Sequence, residues 1–162
     1  MKNFQVTSVE DGKKYWISRS IAVTVFLFVK DDENIYILAN KRGIGAPDYQ
    51  GYWNCPCGYL DWDENIKQAA CREVFEETGV KIKPYMISLF EVNSDPKENL
   101  QNVTLLYSGI INKNQLKYSK PIGGEENEVE KVLLIQFNKI NNYKWAFNHD
   151  NIISSIYLDE YY

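Results

Sequence analysis

Soft metal ligands are scarce in this chain of 162 residues: one histidine, His149, and three cysteines, Cys55, Cys57 and Cys71. Cys55 and Cys57 stand as C-x-C, and the paired C-x2-C spacing of common zinc sites is absent, so a zinc framework is not expected. An odd cysteine count without a secretory leader reads as reduced thiols filling small gaps. A basic surplus is missing too. Eighteen Lys and Arg face 22 Asp and Glu, for a net charge of −4, and a nucleic-acid partner, which calls for a basic stripe, is not expected. No long apolar run occurs. The most apolar one, Ile21 to Val29, falls well short of the roughly 20 residues that cross a bilayer. "MKNFQVTSVEDGKK" lacks the apolar core of a signal peptide. A soluble, cytoplasmic protein without a membrane partner is expected. Nothing resembling a repeat, a low-complexity tract or a linker divides the chain, so residues 1–162 are expected to form a single domain.

What remains is an ordinary globular balance, 44% hydrophobic and 25% charged. "SIAVTVFLFV" (Ser20 to Val29) is β-branched and aromatic and predicts a central strand, with "IYILAN" (Ile35 to Asn40) as its hairpin partner across "KDDEN". "KRGIGAPDYQGYWN" carries three glycines and a proline and predicts a long, functional loop. Asn65 to Thr78 predicts a helix that Asp61 or Asp63 caps and Gly79 ends. "KIKPYMISLFEVN", "NVTLLYSGIIN" and "KVLLIQF" read as strands, and apolar residues at helical spacing after Phe147 predict a closing helix. Strands flanking one helix, with a second at the end, mean an α/β or α+β fold with a mixed sheet.

The first helix is the informative one. Glu73 and Glu77 sit one turn apart with Glu76 beside them, bordering a stripe of Ala70, Cys71, Val74 and Thr78. Carboxylates this close repel by a few tenths of a kcal/mol per i,i+4 pair even in solvent, and by more at a buried edge. Either they form a solvated face relieved by Arg72, four residues before Glu76, or they hold a hard divalent cation. Spacing alone leaves both open.

The wider pattern is more specific. The stretch from Gly58 to Val80 resembles the box of the Nudix hydrolase family, G-x5-E-x7-R-E-U-x-E-E-x-G-U with U aliphatic. Gly58, Glu64, Arg72, Glu73, Val74, Glu76, Glu77, Gly79 and Val80 fill all nine specified positions. A chance match at one register is on the order of one in a billion, which rules out coincidence. The resemblance implies a Nudix-type α/β/α sandwich with a mixed sheet. It also implies hydrolysis of nucleoside diphosphate derivatives with Mg²⁺ or Mn²⁺. By position, Glu73, Glu76, Glu77 and the Gly58 carbonyl would be metal ligands, and Arg72 would orient the glutamates with Glu64 as its partner. The family's usual Pro-Gly-Gly is Pro56-Cys57-Gly58 here, which puts the local turn in question because cysteine takes positive φ less freely than glycine.

The catalytic base stays open between a box glutamate and the acidic loop before the last strand. That loop offers Glu125, Glu126, Glu128 and Glu130, and Glu128 is the best-spaced candidate, then Glu126. Pro96, sixteen residues beyond Val80, resembles the marker of the family's ADP-ribose pyrophosphatases, which are often dimers, so a homodimer is a further expectation. "AFNHDNII" (Ala146 to Ile153) is similar to the start of their final helix, which makes His149 a helix-start or packing residue rather than a metal ligand. The S-Q-P-W-P-F run of NADH pyrophosphatases is absent, and Glu98 and Asn99 stand where diadenosine-polyphosphate hydrolases carry tyrosine. ADP-ribose or another nucleotide sugar is therefore the expected substrate. A nucleoside triphosphate pyrophosphohydrolase and a non-catalytic nucleotide-sensing domain are the alternatives. Lys41 and Arg42 are candidates for phosphate contact, and Trp16, Tyr49, Tyr52 and Trp62 are candidates for stacking a base, unranked.

Overall fold

The apolar run becomes β3 (Ser20–Asp31), in which every residue from Ala22 to Val29 is buried. Burial on both faces is what a central strand requires, and each face is covered by its own helix. In the computed structural model, which describes residues 2–117 and 127–161 (side chains to residue 156), the elements preceding it are a two-stranded hairpin, β1 (Phe4–Thr7) and β2 (Lys14–Ile17). That hairpin lay outside the sequence reading: its residues are mostly exposed and carry no clear alternation. After β3 come β4 (Asn34–Arg42), β5 (Trp53–Asn54), β6 (Cys57–Tyr59), α1 (Ile66–Thr78), β7 (Ser88–Asn93), β8 (Asn102–Asn112), β9 (Val129–Gln136) and α2 (His149–Tyr161).

The second sheet is mixed. β8 runs parallel to β3 along its whole length, from Ser20 beside Asn102 to Lys30 beside Asn112, and β7 pairs antiparallel to β8. β3 and β4 pair only near their hairpin, from Phe28 with Ile37 to Asp31 with Asn34. Beyond that they part. β6 takes up β3 at Ala22 to Thr24, while β5 takes up β4 at Asn40 and Lys41. β9 lines β4 from Tyr36 to Arg42. The short segment 53–59 thus plugs a split in the sheet. Ends of β4, β5 and β6 and the starts of β3, β8 and β9 meet there.

One face of the sheet packs Val23, Val25, Leu27 and Val29 against Ala69, Ala70 and Val74 of α1. The other packs Phe26, Phe28 and Ile37 against Ile153 and Ile156 of α2. This is the α/β/α layering that the box resemblance implied. Three details differ from the sequence reading. Asn65, not Asp61 or Asp63, caps α1: its side chain accepts from Gln68 N–H (3.1 Å) while the Gln68 side chain accepts from Asn65 N–H (2.8 Å), a reciprocal box that satisfies two orphan donors. The buried stripe of α1 holds Ala69 in place of Cys71. Lys81 to Ile87 is not strand but contains a 3-10 turn at Pro84–Met86, where proline at the start removes a ladder donor. Gly79 ends α1 in the left-handed region (φ 72°), its N–H donating to Phe75 O, as a terminal glycine should. Among the described residues no helix is long and apolar enough to cross a membrane.

Asn65→Ala removes the reciprocal cap. Thermal denaturation is expected to show a loss of about 1 kcal/mol, which lowers Tm by about 2–4 °C in a chain of this size.

Candidate active site

Gly58 lies in β6 with no room beside it. A Cβ built at this position would overlap the carboxylate of Glu73, so only glycine lets the acid lie flat against the strand. The neighbouring Cys57 takes no positive φ, which answers the question its substitution raised: the middle position of Pro56-Cys57-Gly58 asks only for extended backbone. Its N–H donates to Glu77 (3.3 Å), and its sulfur accepts from Asn54 Nδ2 (3.4 Å).

Arg72 ties the loop before α1 to the helix. Its Nη2 and Nε donate to Glu64 (2.6 and 3.0 Å), Nη1 donates to Glu73 (2.6 Å) and Glu76 (3.0 Å), and Nη2 also reaches the Tyr59 carbonyl (2.8 Å). Glu64 in turn accepts from Asp61 N–H (3.0 Å), and the Arg72 guanidinium holds its carboxyl below the usual range. The expected pairings of Arg72 with Glu64 and with Glu76 are both present.

Glu73 and Glu77 are not a solvated face. They are 8% and 6% exposed. Burial pushes the Glu73 carboxyl up to about 7, against the pull of Arg72 and with help from the charges of Glu76 and Glu128. Burial pushes Glu77 well above the ordinary carboxylate range, and Glu73 and Glu128 add to it; the Cys57 N–H and the charge of Arg42 pull the other way. Desolvation is the dominant cause in both. Among the described residues no three acidic, histidine or cysteine side chains already close on one point as a metal cage, for Glu73 and Glu76 are turned onto Arg72. The donor set nevertheless suits a hard divalent cation: several carboxylate oxygens, two of the acids desolvated and raised by neighbouring negative charge.

The backbone of Glu128 is pinned to the loop after β4. Its carbonyl accepts from Gly43 N–H (2.6 Å), and a Cβ on Gly43 would overlap the Asn127 carbonyl, so glycine permits the close approach of the two loops. Glu130 is committed to Lys41 at 2.8 Å. Glu125 and Glu126 lie outside the described residues. Arg42 is buried, donates to the Asp48 carbonyl (2.9 Å) and carboxylate (2.7 Å), and lies over Phe147 at 5.1 Å; its guanidinium is engaged inside the protein. Pro96 is exposed on the loop between β7 and β8. Arg19 fastens that loop by donating to the carbonyls of Ser94 (2.7 Å), Asn99 (2.7 Å) and Asn102. Asp48, Asn54 and Arg19 escaped the sequence reading: the Arg19 bonds to carbonyls 75 or more residues away leave no local pattern, and the short-range contacts of Asp48 and Asn54 form only once the loops carrying them are folded. His149 is buried against Phe26, and its Nδ1 accepts from Cys55 N–H (3.0 Å). Burial, then the charge of Arg42, lowers its pKa to about 3, so it is a neutral packing group.

The site is thus a carboxylate helix laid against a glycine at the split of a mixed sheet. The NUDIX domain family model matches residues 18–156. The ADP-ribose pyrophosphatase of Methanocaldococcus jannaschii is 27% identical over 150 residues, covering 92% of this chain and 80% of that protein. The NUDIX domain of Shewanella oneidensis NrtR complexed with ADP ribose superposes with a TM-score of 0.69 at 18% identity, over 88% of this chain and 89% of that one. NrtR has also been solved complexed with a 27mer DNA (TM-score 0.66, 20% identity, 86% and 61% covered). The Francisella tularensis bifunctional NMN adenylyltransferase/ADP ribose pyrophosphatase complexed with AMP and Mn ion matches with a TM-score of 0.64 at 25% identity, over 88% of this chain and 42% of that one. The chain belongs to the Nudix hydrolase family and is a pyrophosphohydrolase similar to ADP-ribose pyrophosphatases.

An acid whose folded pKa lies above its unfolded value keeps a proton that the unfolded chain has released, so stability declines as pH rises between the two values. For Glu73 that window runs from about 4.5 to about 7, and Glu77 acts in the same direction. Urea denaturation in chelator is expected to show stability falling across it, by on the order of 3 kcal/mol for Glu73 alone, with Glu77→Gln flattening the decline. A level profile would mean that both acids titrate as they do in water.

Proposed function

We propose that the protein hydrolyses the pyrophosphate bond of a nucleoside diphosphate derivative, ADP-ribose or a related nucleotide sugar. The observation that carries this reading is the buried pair Glu73 and Glu77, the first set against Gly58 and paired with Arg72, the second accepting from Cys57 N–H. Similarity to the Methanocaldococcus enzyme supports the substrate. Glu73, Glu76, Glu77 and the Gly58 carbonyl would hold Mg²⁺ or Mn²⁺, which supplies charge neutralisation for the pyrophosphate and acidifies water.

The chain's own residues do the rest. Arg72 pairs with Glu64, Glu73 and Glu76 and so holds the three carboxylates together until a cation draws Glu73 and Glu76 off it. A water oxygen forms the new P–O bond, the bridging P–O bond breaks, and the water's proton passes to a carboxylate. Glu128 is the candidate base because its charge is already felt by Glu73 and Glu77; a box glutamate is the alternative. Lys41 and Pro96 border the substrate in this scheme, and Arg42 acts through its charge. The ADP ribose complex of the NrtR domain favours a second reading, a nucleotide sensor that binds the same compound without turning it over.

Product analysis separates these readings. With Mg²⁺ or Mn²⁺, ADP-ribose should yield AMP and ribose 5-phosphate. Release of pyrophosphate from nucleoside triphosphates would instead make it a triphosphate pyrophosphohydrolase, and tight binding without products would make it a sensor. Divalent ion should also stabilise the fold, by about 2.7 kcal/mol at a hundredfold excess over its Kd, and Glu77→Gln should lose both that rise and most turnover.

For the base, Glu128→Gln is expected to lower kcat by about 10² to 10⁴-fold while the divalent-dependent rise in Tm persists. A small change in kcat would move the role to the box, where loss of one glutamate weakens metal binding and turnover together.

A further inference from the structure

Lys41 stands opposite Lys131, but the next residue, Arg42, stands opposite Val129. Glu130 is therefore an extra residue, a bulge near the start of β9. Bulges bend a strand and re-aim the side chains beside them, and they gather near active sites. Glu130 turns to Lys41 at 2.8 Å. The chain just before it meets the loop that follows β4. Gly43 N–H donates to Glu128 O (2.6 Å), and Gly45 N–H donates to Asn127 O (2.9 Å). Consecutive carbonyls of an extended chain point to opposite sides, yet these two reach the same loop. Asn127 leads into the bend from the left-handed region (φ 64°), which asparagine tolerates and a β-branched residue does not.

The loop after β4 does not need these two bonds for its own shape. Gln50 Nε2 donates to Ile44 O (3.0 Å) and Ala46 O (2.9 Å). Arg42 N–H donates to Tyr52 O and Gly51 N–H to Arg42 O, both at 2.8 Å, and the Arg42 side chain holds Asp48 at 2.7 Å. The loop is a fixed body. Its bonds to Asn127 and Glu128 fasten the second segment to it, and a Cβ on Gly43 would strike the Asn127 carbonyl. With two successive carbonyls held, Glu128 keeps only the freedom of its side chain.

This fixed body adjoins the split that holds the acids. Tyr52 leads directly into Trp53 and on to Cys57, whose N–H donates to Glu77 at 3.3 Å. β9 lies across β4 from β5, two strand spacings or roughly 10 Å away. Val132 of β9 packs against the cluster that contains Ala70 and Val74 of α1. The helix that lays Glu73 on Gly58 therefore also reaches the strand that Glu128 begins. We propose that Gly43, Gly45 and Asn127 are positioning residues for the hydrolysis, a backbone latch that holds Glu128 where its carboxylate takes the proton of the attacking water. The inference rests on Glu128 as the base. Placement of this kind matters, because a shift of about 1 Å in a reacting group can cost on the order of 10²-fold in rate.

The test is kinetic, with ADP-ribose and Mg²⁺. Asn127 is exposed, so Asn127→Val strains the bend without touching the core. It should lower kcat by about ten- to a hundredfold with KM within about twofold, and the divalent-dependent rise in Tm should persist. Gly43→Ala should act in the same direction. Asn127→Gly, which suits the left-handed backbone, should keep kcat within about twofold of the parent chain. In a Glu128→Gln chain, Asn127→Val should lower kcat no further, because residues that act as a unit are not additive. An equal loss in both backgrounds, or a loss shared by Asn127→Gly, makes Asn127 a structural residue and overturns the latch. Parental kcat in Asn127→Val beside a severe loss in Glu128→Gln overturns the latch and leaves the base standing. Parental kcat in Glu128→Gln removes the base and the latch together, and a parent chain that turns over no nucleotide overturns the functional reading as well.

Discussion

The carboxylate of Glu73 occupies the space where any side chain on residue 58 would project, and the architecture around it follows from that one contact. Two acids one helical turn apart, Glu73 and Glu77, are buried against a strand, where burial raises the cost of ionising both and the charge of Glu73 raises it further at Glu77. An arrangement of this kind is expensive in isolation. Arg72 offsets part of the cost by forking to Glu64, Glu73 and Glu76 at once, and it is itself held protonated chiefly by its bonds to Glu64. The remaining deficit of positive charge is what would suit the cluster to a divalent cation, because such an ion binds most strongly where carboxylates are preorganised and poorly solvated.

The split sheet is the scaffold for this contact. Had β3 and β4 paired along their full length, no gap would exist for the segment from Trp53 to Tyr59, and Gly58 could not face α1. Their separation beyond Phe28 and Ile37 lets β6 add to one strand and β5 to the other, with Val25 N–H bridging to Pro56 O at 2.9 Å. α1 then packs its Ala69, Ala70 and Val74 on the same face that the gap opens. The core therefore fixes the height and rotation of the helix, and its acids cannot move off Gly58 without emptying that layer.

Local periodicity carried the central strand, the box helix, its glycine stop, and β8 between the residues read from sequence. The layering and the Arg72 pairings followed from nine residues at fixed spacing. What escaped reading has a common cause. The N-terminal hairpin is exposed and so carries no alternation that burial would impose. The capping role of Asn65 competed with two aspartates equally able to accept the same bond. Burial of Glu73 and Glu77 depends on how close β6 approaches α1, which is a tertiary distance. Arg42, a candidate for phosphate contact, is enclosed because Asp48 and Phe147 converge on it from positions 6 and 105 residues away. Phe147 stood in a motif but without a role, since its exposure and left-handed backbone emerge only where the stretch before α2 bonds to Trp53 of β5.

Cys57 shows how tightly the charge around Glu77 is managed. The thiol replaces a glycine of the family's usual run and stands beside an acid that is already difficult to ionise. A thiolate there would add another negative charge to the cluster. Burial opposes that charge first, and the field of Glu77 opposes it further, so the Cys57 thiol is pushed far above its ordinary range. Asn54 donates to the neutral sulfur and to the Cys55 carbonyl (3.0 Å), which fixes the side chain without demanding a charge. The substitution is therefore electrostatically silent. What the position contributes is its N–H, directed at Glu77, and a backbone donor is indifferent to whether glycine or cysteine carries it.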